Sequence, residues 1–234
     1  MPRKITKETE NVLELNSKGF SNSSIQNKLG ISIAKIRNIL TRYGVKSNKW
    51  EPIDESIIKH LLIGSYLGDG HFTKIENHRN SRLHLGHSPD QKDYFLWKCE
   101  KLKKVSLFTG FQERNNMLIT RTKPHPIFTK FRKEGYNKGI NLDLVSDINE
   151  ESFSIWYLDD GSVTTDGFSI ACYLLSEDEK QGLKDIIYKN LKLDVNITSE
   201  TLYIPKKEVN RFIEIVEPFC PESMKYKLKP YNTR

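Results

Sequence analysis

Cysteine is scarce in this chain. Cys99, Cys172 and Cys220 are the three in 234 residues, isolated and odd in number. No C-x-x-C pair exists, which removes a zinc-finger reading and leaves free thiols in a reducing compartment as the expectation. No apolar run reaches the roughly 20 residues that a membrane helix needs. The opening Met1-Pro2-Arg3-Lys4-Ile5-Thr6 lacks the apolar stretch of a secretion signal. The expected setting is therefore cytoplasmic or organellar, not secreted. Histidines are few, and though His78, His84 and His87 lie close in sequence, no second ligand pair stands at metal-site spacing. Strand alternation also puts His84 and His87 on opposite faces, which argues against a histidine-metal centre.

What the chain does have is a globular composition, 37% hydrophobic and 29% charged, and an uneven charge. Residues 1–50 hold ten Lys/Arg against three Glu, a net +7 that equals the whole-chain value. Residues 51–234 hold 27 basic and 27 acidic groups and are neutral. A small basic module thus precedes a larger balanced one, and basic segments are the usual footprint of phosphate contacts.

The basic module reads as three helices. Residues 6–18 form the first, broken by Gly19-Phe20-Ser21. Residues 23–29 form the second. Gly30-Ile31-Ser32 is a turn with Ser32 as N-cap, and Ile33 to Tyr43 is the third helix, closed by Gly44. Ile25, Leu29, Ile31, Ile36 and Leu40 would make its core. This is the helix-turn-helix pattern. The outer side of the third helix would carry Ala34, Lys35, Arg37, Asn38, Thr41 and Arg42, side chains suited to base edges and phosphates. The expected organisation is a helix-turn-helix module at 1–48, a polar linker at 49–52, and a main domain at 53–234.

Two acidic helix ends dominate the main domain. Leu62-Ile63-Gly64-Ser65-Tyr66-Leu67-Gly68-Asp69-Gly70 and Ile155-Trp156-Tyr157-Leu158-Asp159-Asp160-Gly161 are apolar helical runs that stop at Asp-Gly. Packed side by side, they would bring Asp69 and Asp160 together, which suits a hydrolytic Mg²⁺ site. The acidic pair is offset by 160 − 69 = 91 residues, and Ser88-Pro89-Asp90-Gln91-Lys92 recurs at Ser176-Glu177-Asp178-Glu179-Lys180, 88 residues on. The strand end at Lys123 recurs at Lys207, 84 residues on. Landmarks in one order at similar spacing indicate a duplicated unit, 53–148 and 149–234. Each half reads as helix, two strands, helix, two strands, helix. The first half has a helix at 54–68, strands at 71–76 and 82–87, a helix at 90–104, a hairpin of 111–115 and 117–123 through Asn115-Asn116, and a helix at 126–134. The second has a helix at 150–159, strands near 162–165 and 168–174, a helix at 177–191, strands at 195–199 and 201–204, and a helix at 206–216. The strand at 82–87 puts Arg82, His84 and Ser88 on a polar face and Leu83 and Leu85 on the other.

The runs ending Leu67-Gly68-Asp69-Gly70 and Tyr157-Leu158-Asp159-Asp160-Gly161 resemble the paired signature motifs of LAGLIDADG homing endonucleases. Trp156-Tyr157-Leu158-Asp159-Asp160-Gly161 and the tail Met224-Lys225-Tyr226-Lys227-Leu228 are similar to the intron-encoded endonuclease and maturase branch. The resemblance covers about residues 53–234. It implies an α+β fold, a monomer with two αββαββα halves, pseudo-twofold symmetry and a saddle over double-stranded DNA. Asp69 and Asp160 would bind two or more divalent ions, Mg²⁺ with Mn²⁺ able to substitute, near the main-chain oxygens of Gly68 and Asp159. Gly64 and Gly68 would allow close helix approach, with bulky Trp156 and Tyr157 making the packing asymmetric.

A lysine near the scissile phosphate would stabilise charge. Lys123 is the first-half candidate. For the second half the repeat points to Lys207 and the tail resemblance to Lys227, and the more specific tail favours Lys227. Arg82, His84, Ser88, Lys92, Arg121 and Lys180 complete the expected DNA surface. The expected activity is site-specific double-strand cleavage. Its rivals are an RNA maturase that assists intron splicing, with intron RNA as partner, and a DNA-binding regulator that has lost its nuclease.

Overall fold

The computed structural model describes residues 5–48, 52–76, 80–135 and 139–229. His78 and most of the expected linker lie outside the described residues. The chain divides into two compact units, Met1–Asp54 and Glu55–Arg234.

In the first unit, α1 (Lys7–Ser17), α2 (Asn22–Leu29) and α3 (Ile33–Arg42) enclose Val12, Ile25, Ile36, Ile39 and Leu40. Leu29 and Ile31, expected inside, are partly buried against this cluster. Each helix starts at a hydroxyl: Thr6, Ser21 and Ser32 accept from the backbone N–H of Thr9, Ser24 and Lys35 at 3.2–3.3 Å. That satisfies amides that have no partner within the helix. Gly30 ends α2 with φ of 68°, a left-handed conformation that costs glycine little. Ala34, Lys35, Arg37, Asn38, Thr41 and Arg42 are all exposed.

The second unit contains the duplicated halves. The first runs α4 (Glu55–Leu67), β1 (His71–Thr73), β2 (Arg82–His87), α5 (Lys92–Lys104), β3 (Phe111–Arg114), β4 (Met117–Arg121) and α6 (Pro126–Gly135). A short α7 (Leu142–Val145) leads into the second half: α8 (Glu150–Asp160), β5 (Gly161–Val163), β6 (Phe168–Ala171), α9 (Glu177–Leu191), β7 (Asn196–Ile197), β8 (Thr201–Ile204) and α10 (Val209–Val216). The two antiparallel sheets repeat one order, β1-β2-β4-β3 and β5-β6-β8-β7. Asn115 and Asn116 turn the first hairpin with φ of 51° and 58°, as a tight two-residue loop requires. The strand expected over 168–174 stops at Ala171; Cys172 and Leu175 close a turn, leaving Tyr173 and Leu174 exposed.

One face of each sheet is buried. In β2, Leu83, Leu85 and His87 point inward and alternate with Arg82, His84 and Gly86. The centre of the unit is the contact between α4 and α8. Ile58, Leu61, Leu62 and Ile63 of α4 and Phe153, Ile155, Trp156, Tyr157 and Leu158 of α8 are all at most 1% exposed. A Cβ on Gly64 would lie 2.6 Å from Cβ of Ile155, and one on Gly68 would lie 2.7 Å from Cβ of Asp159. These pairs are related by the same 91-residue offset as the acids (64 and 155, 68 and 159), so they face each other across the pseudo-twofold axis. At both positions the first motif supplies glycine and the second fills the space. The packing is asymmetric here through Ile155 and Asp159, not through the Trp156 and Tyr157 on which the expectation rested.

Candidate active site

Asp69 sits on the turn that follows α4, and Asp160 is the last residue of α8. The N–H groups of Gly68 and Gly70 donate back to the carbonyls of Gly64 and Ser65 at 2.9 and 2.7 Å, which fastens the first turn. Among the described residues, neither carboxylate accepts a hydrogen bond or pairs with a cation. Burial and the charge of Asp159 raise the pKa of Asp69. Burial, then the charges of Asp69 and Asp159, push Asp160 up to about 7. Lys98 and Lys227 pull both acids back down. Two oxygen-donor acids, one raised by the charge of the other and neither held in an ion pair, fit a hard divalent cation.

Of the three lysines singled out from sequence, Lys227 lies at the acids. Its amine donates to the carbonyls of Leu158 and Asp159 at 2.6 and 2.9 Å, capping the C-terminal end of α8. Burial lowers its pKa, against the pull of Asp159, Asp69 and Asp160. The carbonyl of Asp159, expected beside a metal, is thus held by Lys227. The 3₁₀ segment that carries Lys227, Glu222–Leu228, is tied down from both halves. Tyr157 Oη donates to the Lys227 carbonyl at 2.5 Å, Ser223 N–H to Asp93 at 3.1 Å, and Gln91 Nε2 to Tyr226 Oη at 3.2 Å. Lys207 instead pairs with Asp194 at 2.9 Å, and neither acid responds to its charge. Lys123 is exposed two residues beyond β4, where it lines a hollow with Arg82, Arg114 and Arg121.

The sequence reading missed a buried cluster beneath Asp69. Lys98 and Asp159 form an ion pair at 2.7 Å with both side chains 0% exposed. Tyr94 Oη donates to Asp159 Oδ1 at 2.9 Å, and the backbone N–H of Asp69 donates to Asp159 Oδ2 at 3.2 Å. Lys98 also reaches Nε2 of His87 at 3.2 Å, and the other ring nitrogen of His87 is 3.3 Å from Gln91 Oε1. Burial, then the Lys98 charge, push His87 down to about 4, so it is neutral and accepts from the amine. The signal was present in α5. Tyr94, Phe95, Lys98, Cys99 and Leu102 share one stripe at helical spacing, so Lys98 stands where an apolar residue belongs.

Lys180 is a correction. It was expected to contact DNA, but it is 2% exposed, and its amine donates to the carbonyls of Ser199 and Thr198 at 2.6 and 3.3 Å and pairs with Glu177. It occupies the apolar stripe of α9 with Leu183, Ile187 and Leu191 and holds the β7–β8 turn. Ser88 caps the turn into α5 by accepting from Asp90 N–H at 3.4 Å. Lys92 opens α5 and is exposed, as is Arg121 in β4, while Arg82 and His84 are half-buried on the open sheet face. His84 lies directly opposite Arg121. The two open faces differ in charge. The strands of the first sheet hold Arg82, Arg114, Arg121, His71 and His84 besides buried His87, whereas those of the second, Gly-Ser-Val, Phe-Ser-Ile-Ala, Asn-Ile and Thr-Leu-Tyr-Ile, hold no basic residue.

Comparison with known proteins gives the family. Protein RecA of Mycolicibacterium flavescens is 26% identical over 194 residues, covering 73% of this chain and 46% of that protein. The chain therefore spans about half the length of the curated relatives it matches first. The DNA endonuclease I-ChuI of Chlamydomonas applanata is 27% identical over 207 residues, covering 74% of this chain and 95% of the relative. The solved structure of the homing endonuclease I-WcaI bound to its DNA recognition sequence shares the fold, with a TM-score of 0.64 at 22% identity over 82% of this chain and 92% of that one. The model of the LAGLIDADG DNA endonuclease family matches residues 59–212, which include both acidic helix ends, both sheets and the first half of α10. The chain belongs to the LAGLIDADG DNA endonuclease family.

Proposed function

We propose that this chain is a site-specific double-stranded DNA endonuclease that uses Mg²⁺ or Mn²⁺ at Asp69 and Asp160. The observation that supports this is a carboxylate at the end of each of the two central helices, neither in an ion pair among the described residues, with the charge of Asp69 felt at Asp160. Bound there, divalent ions would supply charge for the scissile phosphate and a more acidic water. The chain's own residues do the rest. Gly64 and Gly68 let the two helices approach closely just before the acids. Lys227, anchored to the end of α8, adds a positive charge beside the acids that can stabilise charge developing on phosphate.

The open face of the first sheet, with Arg82, His84, Arg114 and Arg121, would contact the duplex, and Lys123 would join it at the rim. Arginine's fork suits guanine edges and phosphates alike. The basic unit at residues 1–48 would add a second grip through α3, where Arg37, Asn38, Thr41 and Arg42 are exposed. The site is complete within one chain, consistent with a monomer. Among the described residues no helix is long and apolar enough to cross a membrane, and the working place would be the cytoplasm or an organelle that holds the target DNA.

The test is cleavage of a plasmid library carrying randomised target sites, with Mg²⁺, Mn²⁺ or EDTA. Linear product from a defined subset of sites, absent in EDTA, is the expected result. Intact plasmid in every metal together with tight binding of intron RNA would replace this reading with the maturase.

A further inference from the structure

The buried cluster of Asp159, Lys98 and Tyr94 has no counterpart across the pseudo-twofold axis. The position of Asp159 in the first motif is Gly68, and the position of Lys98 in α9, at the 88-residue offset of Lys92 and Lys180, is Ile186. An unpaired charge at such depth is costly, so the pair is a placed feature and not a remnant. Its hydrogen bonds close completely. A carboxylate offers about four acceptor sites. Asp159 Oδ1 takes Lys98 and Tyr94, and Oδ2 takes Lys98 and the Asp69 N–H, at 2.7–3.2 Å. The three protons of the Lys98 amine meet Oδ1, Oδ2 and His87 Nε2. Asp69, His87 and Asp159 place ligand atoms within 4.8 Å of one another, yet Asp159 has no acceptor site left to give a cation.

Resting on the endonuclease reading, we infer that the Lys98–Asp159 pair is a positioning device for Asp69: Lys98 fixes the Asp159 carboxylate, and Asp159 fixes the turn that carries Asp69 through its backbone N–H. Asp160 needs no such device, because it lies inside the last turn of α8. Asp69 lies outside its helix, on a turn whose neighbouring amides bond within α4 while its own amide reaches across to the other motif. Asp159 and Lys98 are therefore positioning residues, and neither is a metal ligand.

Two readouts test this. The first is hydrogen exchange of the Asp69 backbone amide, followed by NMR on the full chain without metal. The amide should be protected in the parent protein, and its exchange should quicken by on the order of tenfold or more in the double variant K98M/D159L, which replaces the pair by apolar groups of similar volume. The second is the Mg²⁺ concentration that gives half-maximal cleavage of target DNA. Loss of an outer partner of a metal-binding group changes metal affinity or activity by roughly 10–100-fold, so this concentration should rise by that order while DNA affinity in EDTA stays unchanged. A residue that only fills the core would alter melting and leave both readouts where they were. Y94F, which removes one hydroxyl, should shift both readouts in the same direction by less, and it decides the matter if the double variant does not melt cooperatively. An exposed Asp69 amide in the parent, or variants with the parental Mg²⁺ requirement, would overturn the inference. A parent that cuts nothing while its Asp69 amide is protected and released in the variants sinks the endonuclease reading alone.

Discussion

Gly64 ties packing to chemistry, and its replacement can be worked through from the structure. An alanine Cβ there would lie 2.6 Å from both the Cβ of Ile155 and the carbonyl oxygen of Ser152. Ordinary contact begins near 3.4 Å, so the helices must separate by about 0.8 Å or more at this point. Both obstacles are rigid: one is a β-branched carbon fixed to the backbone, the other is backbone. Overpacking of this kind costs about 1–3 kcal/mol. Alanine recovers up to about 1 kcal/mol through its better helix propensity. With full recovery the net loss is about 0–2 kcal/mol, or up to roughly 8 °C in Tm for a unit of this size. The effect on cleavage should be larger than the effect on stability, because Asp69, on the turn after α4, and Asp160, at the end of α8, both lie beyond the strained contact. A misplacement of about 1 Å can cost on the order of 10²-fold in rate. The assay is single-turnover cleavage at saturating enzyme, well below the variant's Tm, beside a thermal melt. Gly86→Ala serves as the stability control, since its Cβ would meet Met117 Cε at an ordinary 3.5 Å. If Gly64→Ala melts about as expected and still cuts within threefold of the parent, the acids do not depend on this helix contact and the argument from packing to catalysis is wrong.

Four further outcomes are expected. Asp69→Asn and Asp160→Asn should each abolish double-strand cleavage while DNA binding in EDTA and the melt stay close to those of the parent; a variant that still cuts normally removes that acid from the site. Lys227→Ala should slow single-turnover cleavage by on the order of 10²-fold, whereas Lys207→Ala, which breaks an exposed pair with Asp194, should leave both the melt and the rate close to those of the parent; the reverse order of effects would favour the repeat-based assignment. Arg82→Ala and Arg121→Ala should each lower the salt dependence of binding, and swapping base pairs under the first half should cost more affinity than swapping those under the second, because only the first sheet's strands carry basic side chains. Deleting residues 1–48, which carry nine basic and three acidic groups, should weaken binding and flatten its salt slope; an unchanged slope would mean that α3 does not touch phosphate.

Much of this protein follows from local rules that a sequence displays. Serine and threonine caps, the Asn-Asn turn and the alternation of Leu83 and Leu85 with Arg82 and His84 act over a few residues, and the helices and strands accordingly fall close to their expected bounds. The repeat of the acidic helix ends was equally legible, because duplication preserves order and spacing. What the tertiary structure decided is the environment of individual charges. Lys98 and Lys180 look like surface lysines in composition, and only the packing of α5 and α9 shows that they stand on buried stripes and neutralise polar groups from distant segments. The choice between Lys207 and Lys227 as neighbour of the acids also depended on where the tail returns, which no local period encodes. Asp159 is the clearest case. From sequence only its main-chain oxygen was expected beside the metals, yet one residue along a helix from Asp160 is a rotation of about 100°, which turns its side chain inward onto Lys98, 61 residues away in the other half.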